Sequence, residues 1–286
     1  MRRITNRTFR EVLAEGQAVR AAGVHDALGA MLAEQAGFAA VWASSLGISA
    51  ARCLPDASLL TMTDYLQAAV QMQRRVGIPV VADCDTGFGN NLNIAYLVHE
   101  YEAAGISAVC IEDKHYPKMN SFAPGNHDLL ETTAFARKIS IAKRVQSGDD
   151  FFVIARTEAL ISGLSVDEAL NRSYAYAEAG ADALLVHSKH RTSAEVQAFL
   201  EQWDGRKPVV LVPTTYPGWH FDDAVKAGAS VIIYANQGLR ATIDALRATF
   251  HAIITHGSSA DLEADLASLN DVFELQRLRQ WQELER

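Results

Sequence analysis

Ala36-Gly37-Phe38-Ala39-Ala40-Val41, Ala104-Gly105-Ile106-Ser107-Ala108-Val109, Ala179-Gly180-Ala181-Asp182-Ala183-Leu184 and Ala227-Gly228-Ala229-Ser230-Val231-Ile232 are versions of one phrase. Each reads as a helix end, a glycine stop and a strand. Glycine tolerates the left-handed backbone that closes a helix, and the apolar run after it has the composition of a strand covered on both faces in a parallel sheet.

Further apolar runs lie between these phrases: Ile78-Pro79-Val80-Val81-Ala82, Phe151-Phe152-Val153-Ile154-Ala155 and Val209-Val210-Leu211-Val212. With a first strand near Gln17 to Ala22, the strands expected number eight. Apolar spacing predicts helices over Ala27 to Gln35, Thr63 to Arg74, Ile94 to Ala103, Thr132 to Arg144, Val166 to Ala179, Ala194 to Trp203, Phe221 to Ala227 and Leu239 to Ile253. An open, doubly wound sheet uses the same units. No glycine fingerprint of the dinucleotide or P-loop type follows the first strand, so a closed (β/α)₈ barrel over residues 1–254 is the expected α/β fold.

A polar linker, His256-Gly257-Ser258-Ser259, then leads into a tail over residues 255–286. Leu262, Leu266, Leu269, Val272, Phe273, Leu275 and Leu278 predict an amphipathic helix over Leu262 to Leu284. Its apolar face must be covered by its own barrel or by a neighbouring subunit, so a homo-oligomer is expected.

The chain has 286 residues, 49% hydrophobic and 21% charged, which is the composition of a soluble globular protein. A net charge of −8 argues against a nucleic-acid surface, because phosphate-backbone binding needs clustered Lys and Arg. A basic pocket for one small-molecule anion remains compatible. Cys53, Cys84 and Cys110 form neither a disulfide framework nor a zinc site, which favours a reducing cytoplasm. The start, Met1-Arg2-Arg3-Ile4-Thr5, lacks a secretory core and no run reaches membrane-span length, so neither export nor membrane insertion is expected.

Active-site groups of a parallel barrel come from the C-terminal ends of strands. Those ends are polar here: Trp42-Ala43-Ser44-Ser45, Asp83-Cys84-Asp85-Thr86, Glu112-Asp113-Lys114, Arg156-Thr157-Glu158, His187-Ser188-Lys189, Pro213-Thr214-Thr215 and Asn236-Gln237. If strand geometry persists, Asp83 and Asp85 project on one side and Cys84 on the other. With Glu112 they make three convergent acids, which repel one another unless a cation neutralises them, and an all-oxygen set suits Mg²⁺. Any one acid alone could instead cap a helix or form a surface pair. Gly87-Phe88-Gly89 is read as letting backbone approach a ligand beside the acids. Arg156 and His187 supply donors for a carboxylate or phosphoryl group, although a structural ion pair and a core histidine remain open for them. Cys110 reads as packing, and nothing near Cys53 argues for an activated thiolate.

Ala82-Asp83-Cys84-Asp85-Thr86-Gly87-Phe88-Gly89-Asn90 resembles the metal-binding segment of the isocitrate lyase and phosphoenolpyruvate mutase superfamily, and the likeness spans nearly the whole barrel. Gly23 to Leu28, Glu34 to Phe38 and Asn270 to Arg277 also resemble superfamily segments. The loop after the fourth strand, Glu112-Asp113-Lys114-His115-Tyr116-Pro117-Lys118-Met119-Asn120-Ser121, resembles the mutase signature, with Asn120 where lyases carry a catalytic cysteine.

The resemblance implies Asp83 as the direct Mg²⁺ ligand, with Mn²⁺ as a substitute, and Asp85 and Glu112 holding metal-bound waters. It places Trp42, Ser44, Ser45 and Leu46 around the substrate, and Arg156 and His187 on its anionic oxygens. Asp56 stands beside the phosphorus, while Lys118, Asn120 and Ser121 cover the transferring group from a loop, Lys114 to roughly Asp128, that closes during catalysis. The implied reaction interconverts phosphoenolpyruvate and phosphonopyruvate in phosphonate biosynthesis, and the implied assembly is a tetramer or dimer with exchanged C-terminal helices. Ser45 stands where mutases commonly have glycine, which departs from their pattern, and Pro55-Asp56-Ala57-Ser58-Leu59-Leu60-Thr61-Met62 resembles phosphonopyruvate hydrolase, so hydrolysis is the main alternative. A carbon-carbon lyase and a non-catalytic keto-acid-binding barrel are weaker ones.

Overall fold

The computed structural model describes residues 7–125 and 127–285. The Met1 to Thr5 start, Asn126 of the loop and Arg286 of the tail lie outside the described residues.

The strands are β1 (Val19–Val24), β2 (Ala40–Ala43), β3 (Val80–Asp83), β4 (Ala108–Glu112), β5 (Phe152–Thr157), β6 (Ala183–Val186), β7 (Val209–Leu211) and β8 (Val231–Tyr234). They pair in parallel in chain order, and β8 returns to β1, so the sheet closes as the expected barrel and does not stay open and doubly wound. The helices between them are α2 (Ala27–Gln35), α3 (Ser45–Ala50), α4 (Met62–Gln73), α5 (Asn91–Ala103), α6 (Thr132–Val145), α7 (Val166–Glu178), α8 (Ala194–Gln202) and α9 (Phe221–Lys226). A helix α1 (Phe9–Ala14) precedes the barrel, and α10 (Gln237–His256), α11 (Leu269–Leu275) and α12 (Leu278–Gln282) follow β8. Among the described residues no helix is long and apolar enough to cross a membrane.

Alternate strand residues build separate cores. Phe152 and Ile154 of β5 point into the barrel with Ala108 and Cys110 of β4, whereas Val153 and Ala155 pack outward under the helices. Each Phe, Ile or Val among them stabilises the fold by roughly 1.5–3 kcal/mol on burial. Gly23 is required where β1 meets the chain after β8, because a Cβ there would lie 2.0 Å from the Ala235 carbonyl oxygen.

Helix α1, which sequence reading did not anticipate, plugs the N-terminal mouth of the barrel. Thr8 and Glu11 form a capping box at its start. Phe9 is fully buried, its ring edge-on to Phe152 at 5.1 Å, and its backbone N–H donates to Ser107 Oγ.

Some expectations need correction. The first strand begins at Val19 rather than Gln17, because α1 closes with Gly16 in the left-handed region and pairing with β8 starts at Val19. The tail is not one helix over Leu262 to Leu284. Ser268 and Asp271 form a capping box that starts α11 afresh, and Arg277, at φ 57°, separates α11 from α12. Helix α10 runs to His256 and ends on left-handed Gly257. Ile254, Leu269 and Phe273 stay exposed, so this chain's own barrel does not cover that apolar face.

Candidate active site

The barrel opens at the C-terminal ends of its strands into a cavity of about 520 Å³, counting the open space at its mouth. Trp42, Ser44, Ser45 and Leu46 line it from the end of β2 and the start of α3. Asp83 follows from β3, Arg156 from β5, and His187 from the residue after β6. Asp56 enters from the segment before α4, and Lys118, Asn120 and Ser121 from the loop after β4. Strand ends and loops far apart in sequence therefore meet at one mouth.

Asp85 and Glu112 do not line the cavity but lie beside Asp83. Strand geometry stops at Asp83, and Asp85 takes φ 48°, so the simple alternation expected for these two residues does not hold. The acids still converge: the Asp85 backbone N–H donates to Asp83 Oδ1, and Asp83 and Glu112 both push the Asp85 carboxyl up. Burial is the larger cause, partly opposed by Lys118, and raises its pKa to about 7. Glu112 is also raised, by burial first, against the pull of Arg156. Cys84 points away into the outer core, as expected.

The donor set fits a hydrated divalent cation. Both Asp85 carboxylate oxygens and Glu112 Oε1 are buried without hydrogen-bond partners, although Lys118 Nζ stands 3.1 Å from Asp85 Oδ1. Among the described residues no three His, Cys, Asp or Glu side chains form a ready-made metal cage. Mg²⁺ rarely needs one, since it keeps several waters and binds through one or two carboxylates plus substrate oxygens. Of Asp83, Asp85 and Glu112, Asp83 reaches the cavity, and Ser45 Oγ donates to its Oδ2 at 2.9 Å.

Asp56 ties the loop down. Lys118 Nζ lies 2.6 Å from Asp56 Oδ1, and Asn120 Nδ2 donates to Asp56 Oδ2 at 2.7 Å. Burial alone would lower the Lys118 pKa, but Asp85 and Asp56 hold it well above its ordinary value. Backbone bonds at the loop's base, Leu130 N–H to the Asp113 carbonyl and His115 N–H to the Asp128 carbonyl, hold its two ends together.

On the opposite wall Arg156 Nε donates to Glu158 Oε1 at 2.6 Å and stands 3.5 Å from Glu112 Oε2. His187 is buried edge-on to Phe122 at 5.2 Å. Burial, then Arg156, lowers its pKa to about 4, so the ring is neutral at physiological pH.

The glycine run does not approach the cavity. A Cβ on Gly87 would meet Ile94 of α5 at 2.1 Å, Asn90 caps α5, and Lys138 Nζ donates to the Thr86 and Gly89 carbonyls. These glycines serve close packing of the strand against α5, not ligand approach.

Lys114, Glu158, Phe122, Thr214 and Asn236 were assigned no role from sequence. All but Phe122 stand in the polar strand-end segments, which was the available signal. Phe122, Thr214 and Asn236 line the cavity, and Lys114 and Glu158 sit behind it.

A family model described as phosphoenolpyruvate phosphomutase matches residues 9–254. The chain is 42% identical to the phosphonopyruvate hydrolase of Variovorax sp. (strain Pal2) over 273 residues, 95% of this chain and 94% of that one. It is also 42% identical to the phosphoenolpyruvate phosphomutase of Streptomyces hygroscopicus over 254 residues, 88% of this chain and 81% of that one. The crystal structure of a phosphoenolpyruvate phosphomutase from Streptomyces platensis subsp. rosaceus superimposes with a TM-score of 0.95 at 50% identity, covering 96% of each chain. The barrel, its strand-end acids and these likenesses agree: the chain belongs to the phosphoenolpyruvate phosphomutase family.

Proposed function

We propose that the protein is a phosphoenolpyruvate phosphomutase, interconverting phosphonopyruvate and phosphoenolpyruvate. Its hold on Asp56 carries this reading: Lys118 and Asn120 both bond to that carboxylate, so the loop lies across the cavity mouth and keeps water away from the reacting group. In the forward sense a P–C bond breaks, a P–O bond forms to the neighbouring carbonyl oxygen of the same molecule, and nothing is released. A loose, metaphosphate-like transition state of this kind asks the protein mainly for positioning and charge stabilisation.

Arg156 binds the substrate carboxylate, and neutral His187 donates a hydrogen bond to an anionic oxygen. Lys118 and Asn120 hold the phosphoryl group as it moves between carbon and oxygen, beside Asp56. Asp83, with Asp85 and Glu112 behind it, would hold Mg²⁺ or Mn²⁺. That ion would supply charge stabilisation for the enolate oxygen. Trp42, Ser44, Ser45, Leu46 and Ser121 shape the cavity around a small keto-acid. In the same reading a neighbouring subunit covers the exposed face of α10 and the tail by exchanging C-terminal helices, giving a dimer or tetramer in the cytoplasm.

Phosphonopyruvate hydrolase is the second reading, in which water attacks phosphorus and pyruvate and phosphate leave. The Pro55 to Met62 segment, which resembles phosphonopyruvate hydrolase, supports it, and Ser45, whose side chain lines the cavity where mutases commonly have glycine, weighs against the mutase. Incubation with Mg²⁺ and phosphonopyruvate, followed by ³¹P NMR, tests both. Phosphoenolpyruvate is expected; free phosphate as the sole product selects the hydrolase, and an unchanged spectrum removes both.

A further inference from the structure

Lys114 and Glu158 are among the most deeply buried charges of the described chain, yet neither lines the cavity. Lys114 Nζ lies 3.0 Å from Glu158 Oε2 and donates to Ser121 Oγ at 2.8 Å and to the Met119 carbonyl at 3.1 Å. Ser121 Oγ in turn donates to Glu158 Oε2 in a short hydrogen bond and accepts from Arg156 Nη2 at 3.2 Å. One loop hydroxyl is therefore the meeting point of two cations and a carboxylate.

We infer that Lys114 and Glu158 are positioning residues, a latch that joins closure of the loop to the placement of Arg156. Lys114 is anchored at the loop's base, where Leu129 bridges to it, and its ammonium reaches back to grip the loop at Met119 and Ser121. Glu158 divides its carboxylate: Oε1 takes Arg156 Nε, and Oε2 takes Ser121 and Lys114. If the loop lifts, Lys114 loses two acceptors, and Glu158 loses the hydroxyl that balances Arg156 on its other oxygen. Inside a low-dielectric wall these losses are costly, and a lifted loop also takes Ser121 away from Arg156 Nη2, leaving the guanidinium held at Nε alone. Loop and arginine are therefore joined: with the loop closed both Nε and Nη2 of the guanidinium are fixed, and with it open the Nη2 end loses its partner on the loop.

The wall is charge-neutral, with Glu112 and Glu158 facing Lys114 and Arg156. Removing one partner would strand a buried charge, whereas removing an opposite pair does not. The test therefore uses Lys114→Met with Glu158→Leu, beside Ser121→Ala, which changes no charge. Trypsin cleavage after Lys118, read by fragment mass, reports loop opening, because Lys118 is buried when the loop is down. Both variants are expected to be cut at Lys118 about ten-fold faster or more than wild type while melting within a few degrees of it. Their KM for phosphonopyruvate should rise more than kcat falls, as a loosened carboxylate-binding arginine requires. Unchanged protection of Lys118 in a variant that melts normally overturns the latch. Should the paired variant fail to fold, Ser121→Ala decides alone. The KM arm rests on the proposed function, but the digestion does not: wild type inert towards phosphonopyruvate would sink that function and leave the digestion result standing.

Discussion

Lys118 Nζ stands 2.6 Å from Asp56 Oδ1, joining two segments 62 residues apart across the mouth of the barrel. Because Lys118 keeps Asp85 at 3.1 Å, Asp56→Asn does not leave its ammonium unpaired. That variant is expected to lose turnover by about 10²-fold or more while unfolding within a few degrees of wild type. Steady-state rates beside a melting curve check it, and a large fall in melting temperature with normal turnover would refute the role.

Asp83→Ala should abolish metal-dependent turnover and weaken Mn²⁺ binding measured by electron paramagnetic resonance. Asp83 is the acid of its trio that lines the cavity. Full activity in the variant would remove it as the direct ligand.

Asn120→Ala removes the amide donor to Asp56 and little packing, since Asn120 is half-buried. A single hydrogen bond to a charged group is worth about 1.5–3 kcal/mol, so stability should fall modestly while turnover falls at least about ten-fold. A collapse in melting temperature at an undiminished residual rate would count against this.

His187 should make the protein acid-sensitive. Its pKa is about 4 when folded against an ordinary 6.5, so between those values the unfolded chain binds the extra proton. Stability therefore rises with pH across that window, is fully present above pH 6.5, and is lost as pH falls towards 4. The shift corresponds to about 3 kcal/mol at most. Urea unfolding of wild type and His187→Gln from pH 4 to 7 measures it, and identical acid slopes would discard the assignment.

Much of this architecture could be read along the chain. The repeated helix-glycine-strand phrase and the apolar runs between its copies report local geometry, so strand number followed from them, whereas closure rested on the missing nucleotide-binding glycines, since an open sheet uses the same units. Asp83, Arg156 and His187 stood out because they end apolar runs, where a parallel barrel carries its active-site groups, although each alone also fitted a cap, an ion pair or a core histidine. Position along a strand does not reveal what a loop folds onto, so the Lys114, Ser121 and Glu158 cluster escaped notice. Asp85 was placed by assuming the strand continued, and its left-handed backbone broke that assumption. Other features were present but unread: Thr8 with Glu11 and Ser268 with Asp271 both carry helix-start wording, and they mark α1 and the break in the tail.

Phe9 and Val12 stopper one end of the barrel, so traffic is confined to the other. Whatever enters must leave by the doorway it came through, past the segment that Asp56 fastens. Arrival, confinement and departure then share a single gate, and the slowest event of a catalytic cycle here should be the unfastening of that gate rather than the rearrangement of bonds behind it.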